Sequence, residues 1–231
     1  SISALINSEA GSRLAIAESL TNLIWAPVAN KLQGVSLSAN WMWPAKNQGE
    51  NARLYNAVKA VSDFAIDLGI NIPTGKDSLS MTQKYPDGDV VYSPGTVIIS
   101  AVGEVTDIKK AVTPVIKTIP GTKLLYLDLS DSSYELGGSS FAQSLNKIGS
   151  RCPDVAVAKY FSSTFNAIQS LLEDKKILAG HDISAGGMIT TLLEMNFANC
   201  HHGMKIDLSE INETDLVKLL FSENPGIIIQ I

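Results

Sequence analysis

Hydrophobic positions divide the chain into short periodic blocks set apart by glycine, proline and polar clusters. Residues 9–26 read as a helix in which Leu14, Glu18, Asn22 and Trp25 share one face, at i, i+4, i+8 and i+11. Residues 35–39 alternate apolar and small polar groups as a strand does, and an aromatic loop, Asn40 to Pro44, follows. A second helix is predicted over 51–68, with Leu54, Val58, Val61, Ala65 and Leu68 as its apolar stripe and Gly69 just past its end. A short strand at 70–72 then runs into a polar turn, and residues 81–85 and 90–92 pair as a hairpin through Pro86-Asp87-Gly88-Asp89. Residues 96–105 give one more strand.

The Pro-bearing stretch 113–120 reads as a linker, which divides the chain into domains at 1–112 and 121–231. Beyond it the pattern predicts a strand at 123–129, helices at 138–148 and 155–174, a strand at 175–179 and a helix at 188–195. A strand at 204–208, a helix at 213–222 and a final apolar strand from Gly226 complete it. Phe161, Phe165, Ile168 and Leu172 line one side of the 155–174 helix as core.

Composition narrows the function. The 231 residues are 45% hydrophobic and 18% charged, which suits a chain with a sizeable core. A net charge of -5 gives no nucleic-acid footprint. No apolar run approaches the ~18 residues of a membrane span. Cys152 and Cys200 lack metal or redox spacing and fit a reducing cytoplasm. The chain starts without Met and stops inside an apolar, strand-like run, so it reads as a piece of a longer protein.

Three stretches could carry chemistry. The first is Gly180-His181-Asp182-Ile183-Ser184-Ala185-Gly186-Gly187, read as a turn between a strand and a helix. Such a turn offers backbone N–H groups at Gly186 and Gly187 to phosphate, and Asp182 to a metal; its plainer reading is a tight structural turn. The second is the pair Glu18 and Asn22, either a hydrogen-bonded tie on a buried face or a Mg²⁺ site of hard oxygen ligands. The third is Gly75-Lys76-Asp77-Ser78, a polar turn that supplies a cation, a carboxylate and a hydroxyl, or simply solvated charges. It is not a Walker loop, because the upstream glycine is missing. Gly137-Gly138-Ser139-Ser140 reads as a helix cap, and Cys200-His201-His202 as a loop.

Taken together, Ala17-Glu18-Ser19-Leu20-Thr21-Asn22, Ser38-Ala39-Asn40-Trp41-Met42, Gly49-Glu50-Asn51, Thr74-Gly75-Lys76-Asp77-Ser78 and His181-Asp182-Ile183-Ser184-Ala185-Gly186-Gly187 resemble the phosphoribosylformylglycinamidine synthase family. The resemblance runs over essentially the whole chain and points to the second half of that family's synthetase region. It implies an α+β fold like that of aminoimidazole ribonucleotide synthetase, an N-terminal α/β domain followed by a C-terminal α+β domain. It implies an ATP-dependent carbon–nitrogen ligase that aminates formylglycinamide ribonucleotide with ammonia from glutamine, in which this half carries an auxiliary nucleotide and no catalytic residue. Implied partners are the first synthetase half and a glutaminase domain; implied cofactors are Mg²⁺ and ATP or ADP. Glu18, Asn22 and Asp182 match metal positions, and Lys76, Asp77, Ser78, Gly186 and Gly187 match the nucleotide's surroundings. Ala185 departs from the family pattern, where an aspartate follows the serine. A structural module with a decayed site, or a free-standing relative acting on another phosphorylated small molecule, is the alternative.

Overall fold

The computed structural model describes every residue except Ser1, Ala156, Cys200 and His202. The Cys200-His201-His202 stretch therefore falls largely outside the described residues. The first part of the chain contains α1 (Ser3–Ile6), α2 (Ser8–Leu23), β1 (Val35–Met42), α3 (Glu50–Leu68), β2 (Asn71–Ser78), the hairpin β3 (Thr82–Lys84) and β4 (Val90–Tyr92), and β5 (Thr96–Gly103). The second contains β6 (Leu124–Asp128), α4 (Ser140–Ser144), α5 (Ala158–Glu173), β7 (Ala179–Ile183), α6 (Gly187–Asn196), α7 (Leu216–Phe221) and β8 (Gly226–Gln230). Helices and sheets are mixed in an α+β fold. Among the described residues no helix is long and apolar enough to cross a membrane.

Each part has its own sheet. In the first, β1 lies between β2, parallel to it, and β5, antiparallel. In the second, β8 lies between β6 and β7 and pairs antiparallel with both. The Gly-Ile-Ile-Ile-Gln run suits that central place, since β8 is buried along its whole length and β-branched side chains fill both faces.

One core crosses from part to part. Ile16, Leu20, Ile24, Phe64 and Leu68 pack in the same cluster as Phe161, Phe165, Ile168 and Leu172. Phe64 meets Phe161 edge-on, with ring centroids 6.2 Å apart. The segment 113–120 is stitched down as well: Gly180 donates to the Thr113 carbonyl and Ile116 to that of Met195.

Several expectations need correcting. The buried side of α2 is Ile16, Ala17, Leu20 and Ile24; Glu18 and Asn22 are exposed to solvent, not on a buried face. On α3 the core side is Ala57, Ala60, Val61, Phe64, Ala65 and Leu68, while Val58 faces out. The strand expected at 175–179 begins only at Ala179, because Lys175 turns left-handed (φ 55°) and closes the end of α5. The helix expected at 138–148 is only α4, because Asn146 and Gly149 adopt positive φ. The 213–222 helix shortens to α7, started by the Asp215 side chain, which accepts from the N–H groups of Val217 and Lys218. No strand forms at 204–208; Met204 and Leu208 pack onto a smaller core with Met188, Leu192 and Met195.

Candidate functional site

A cleft of about 390 Å³ opens between α2, β5 and the turn that follows β7. Its walls include Leu14, Glu18 and Asn22 from α2, Val97 to Ile99 from β5, Ser184 and Ala185 from the turn, and Glu223. A helix brings Glu18 and Asn22 to one wall because residues four apart share a face. Asp182 lies in β7, two residues before Ser184; it is 5% exposed and stands behind the turn rather than on the lining of the cleft.

Hydrogen bonds join the walls. Ser184 Oγ donates to Glu18 Oε1 at 2.6 Å, and Asn22 Nδ2 lies 3.3 Å from the same oxygen. The Trp25 indole N–H donates to Asp182 Oδ1 at 3.4 Å. The His181 ring lies between two carboxylates, with Nδ1 3.3 Å from Asp182 Oδ1 and Nε2 3.0 Å from Glu194 Oε2. Glu18 and Asp182 titrate in opposite directions. Although Glu18 reaches solvent, the surrounding protein strips part of its hydration, and this, with the charges of Asp182 and Glu223, raises its pKa against the pull of Ser184 and Asn22. Burial acts on Asp182 in the same upward sense, but the bonds from His181 and Trp25 outweigh it and hold the carboxyl below its usual range. His181 is raised, chiefly by its bond to Asp182.

The glycine turn is arranged differently from its sequence reading. Gly180 to Ile183 are strand, so the turn is confined to Ser184, Ala185 and Gly186. The Gly186 N–H donates to Glu223 Oε1 at 2.8 Å, and the Ser140 N–H donates to the same oxygen at 2.7 Å. The Gly187 N–H donates to the Ser184 carbonyl at 3.0 Å. Glycine is required at 187 by its φ of +75° and by α7, whose Leu220 carbonyl would sit 2.6 Å from an added Cβ. A distant carboxylate therefore does for α6 what an aspartate in place of Ala185 could have done locally. Glu223→Ala should cost about 2 kcal/mol, a fall of roughly 4–8 °C in melting temperature. Glu223→Gln, which keeps an acceptor oxygen, should restore most of it in the same thermal scan.

Lys76, Asp77 and Ser78 are not in a turn; they end β2 and pair with Asn40, Trp41 and Met42. β2 lies on one side of β1 and the cleft-lining β5 on the other, and none of the three lines the cleft. Lys76 Nζ donates to Ser78 Oγ at 3.2 Å. Among the described residues, no group of three or more His, Cys, Asp or Glu side chains could hold a metal by itself. A cleft of similar size, about 400 Å³, lies between α2, α3 and α5. Its cations are spoken for: Arg13 contacts Asp154 at 2.6 Å and Lys59 contacts Asp63 at 2.5 Å. Sequence reasoning missed Glu223 and Glu194. Neither has a local signal, since each reaches its partner only through the fold.

Two family models cover most of the chain: the FGAR-AT PurM_N-like domain over residues 1–104, and the AIR synthase related protein, C-terminal domain, over 120–231. Among curated relatives, the phosphoribosylformylglycinamidine synthase of Arabidopsis thaliana is 44% identical over the whole chain and the human one 39%. The chain spans only 16% and 17% of their lengths. In fold it is similar to Thermotoga maritima PurL complexed with FGAR, with a TM-score of 0.66 at 14% identity over 98% of this chain and 35% of that one. It is likewise similar to T. maritima PurL complexed with ATP, with a TM-score of 0.61 at 12% identity over 99% of this chain and 34% of that one. On sequence identity across its full extent and on both domain matches, the chain belongs to the phosphoribosylformylglycinamidine synthase family, within the wider group of AIR synthase-related proteins.

Proposed function

We propose that this chain is part of an ATP- and glutamine-dependent ligase that converts formylglycinamide ribonucleotide to formylglycinamidine ribonucleotide, and that its cleft holds an auxiliary Mg²⁺-nucleotide. The observation that carries this reading is the bond between Ser184 and Glu18, which brings the α2 carboxylate to the turn that follows Asp182. The donors there are all oxygen: two carboxylates, the Asn22 amide and a hydroxyl. That set fits Mg²⁺, which is commonly bound through one or two carboxylates and completes its shell with phosphate and water. Among the described residues no lysine or arginine lines the cleft. A cation is therefore needed before a phosphate chain can lie against Glu18 and Glu223. Bound Mg²⁺ would supply that neutralisation. Glu18, Asn22 and Asp182 would hold it, Ser184 keeps Glu18 in place, and Leu14, Val97 and Ile99 give apolar surface beside it.

The reading assigns the reacting centre to the first synthetase half and ammonia release to a glutaminase domain, so this chain by itself should make no product. It keeps the division into domains at 113–120, and Lys76, Asp77 and Ser78 as residues that reach a nucleotide only from the far edge of the sheet. The cytoplasmic location expected from cysteine usage belongs to the same reading; the place where a tagged full-length protein accumulates checks it. One observation favours the structural-module alternative: Glu223 already takes the Gly186 N–H that would otherwise face a phosphate.

A calorimetric and thermal titration separates the two. With ADP and Mg²⁺ at a hundredfold excess over Kd, a binding site adds about 2.7 kcal/mol, a rise of roughly 5–10 °C for a chain of this size. Omitting Mg²⁺ should abolish the rise, and Asp182→Asn should cut it sharply. A melting temperature indifferent to ADP and Mg²⁺ supports the module instead.

A further inference from the structure

The residues behind Asp182 form a chain of contacts that the metal ligands alone do not explain. α6 reaches back over the end of β7 at two points. Thr191 Oγ donates to the Asp182 carbonyl at 2.9 Å, and Glu194 Oε2 meets His181 Nε2 at 3.0 Å. The other ring nitrogen of His181 meets Asp182 Oδ1 at 3.3 Å, and the Trp25 indole N–H reaches the same oxygen from α2. Both side-chain bonds to Asp182 thus fall on Oδ1. Glu194 is 45% exposed while the Asp182 side chain is 7% exposed. A surface carboxylate is thereby coupled through one ring to a nearly buried one.

We propose that Glu194 and His181 are positioning residues that orient the Asp182 carboxylate, with Oδ1 engaged and Oδ2 presented to a divalent cation. This rests on the Mg²⁺-nucleotide reading of the cleft. Outer partners of this kind fix the direction of a ligand, and their loss typically lowers metal affinity by ten- to a hundredfold. Glu194 suits the test because it is a helix-surface side chain, so its truncation to alanine leaves the fold alone.

The measurement is the ratio of ADP Kd values without and with Mg²⁺, taken by calorimetry on the whole chain, beside a melting curve without ligand. Wild type should show a large ratio. Glu194→Ala should melt as wild type does and lose roughly tenfold of the ratio. His181→Ala should lose at least as much. His181→Asn should recover most of the loss, because its amide can place a donor where Nδ1 stands. ADP affinity without Mg²⁺ should be the same in all four, which a general loosening of the cleft would not give. A full ratio in both Glu194→Ala and His181→Ala, with wild type binding normally, overturns the positioning role and leaves the nucleotide site standing. Should His181→Ala fail to fold, Glu194→Ala decides alone. A wild-type chain that takes up no ADP in Mg²⁺ overturns both.

Discussion

Gln169→Ala is expected to lower the melting temperature by roughly 8–16 °C, corresponding to about 4 kcal/mol. Gln169 is fully buried on α5, and its amide serves backbone from the other part of the chain. The Val28 N–H donates to Gln169 Oε1 at 2.7 Å, and Gln169 Nε2 donates to the Ile24 carbonyl at 2.8 Å. These two backbone groups lie just past the end of α2, where neither the helix nor the Val28–Val105 bridge pairs them, so without the amide both are buried and unpaired. Each such group costs about 1–3 kcal/mol, and the missing side-chain volume adds a cavity term. Gln169→Met fills the space and pairs neither group. It should therefore recover the cavity part only, and the gap between the two variants in thermal or urea melts measures it. Equal melting of Gln169→Ala and wild type would mean that this bridge contributes nothing to holding the two parts together.

Gly180→Ala is expected to damage both stability and the cleft. The Cβ it adds would lie 2.2 Å from Trp25 Cζ3 and 2.8 Å from Cη2, distances no packed carbon tolerates. Either the indole or β7 has to move. Overpacking of this kind costs about 1–3 kcal/mol. The indole that moves is the one bonded to Asp182, so the response to ADP and Mg²⁺ should fall as well. Trp25→Phe in the same chain withdraws the outer ring and should relieve the strain. Gly180→Ala should then cost less in the Trp25→Phe background than alone, a coupling that a double-mutant cycle measures directly. Strict additivity would show that the two residues do not press on one another.

Much of the fold was legible because it depends on local period. Phe161, Phe165, Ile168 and Leu172 stand at helical spacing, and all four are buried in α5. The Pro86 to Asp89 turn closes the hairpin of β3 and β4. Gly69 ends α3 in the left-handed conformation at φ 71°. The sequence was a poorer guide where period is shared between readings. Glu18 and Asn22 fit the face of Leu14 and Trp25 by spacing, yet the buried side of α2 was set by what packs on it, α3 and the core from α5. Lys76-Asp77-Ser78 has the composition of a turn; hydrogen bonding to β1 keeps it extended, an example of sheet pairing overriding residue preference.

The chain's own order of residues determined that Glu18 and Asn22 stand one helical turn apart, that Asp182 precedes a glycine turn, and that an apolar helix follows. It also carried the motifs by which the family is recognised. Only the tertiary structure decided which groups meet. Trp25 and Asp182 are 157 positions apart, Ser184 and Glu18 are 166, and Glu223 and Gly186 are 37. Helix and strand periods arise from contacts between near neighbours, so they are written in local patterns. Which carboxylate takes the free N–H of a turn depends on how distant segments pack, and Glu223 reached Gly186 because β8 is the central strand of the sheet whose edge strand, β7, leads into that turn.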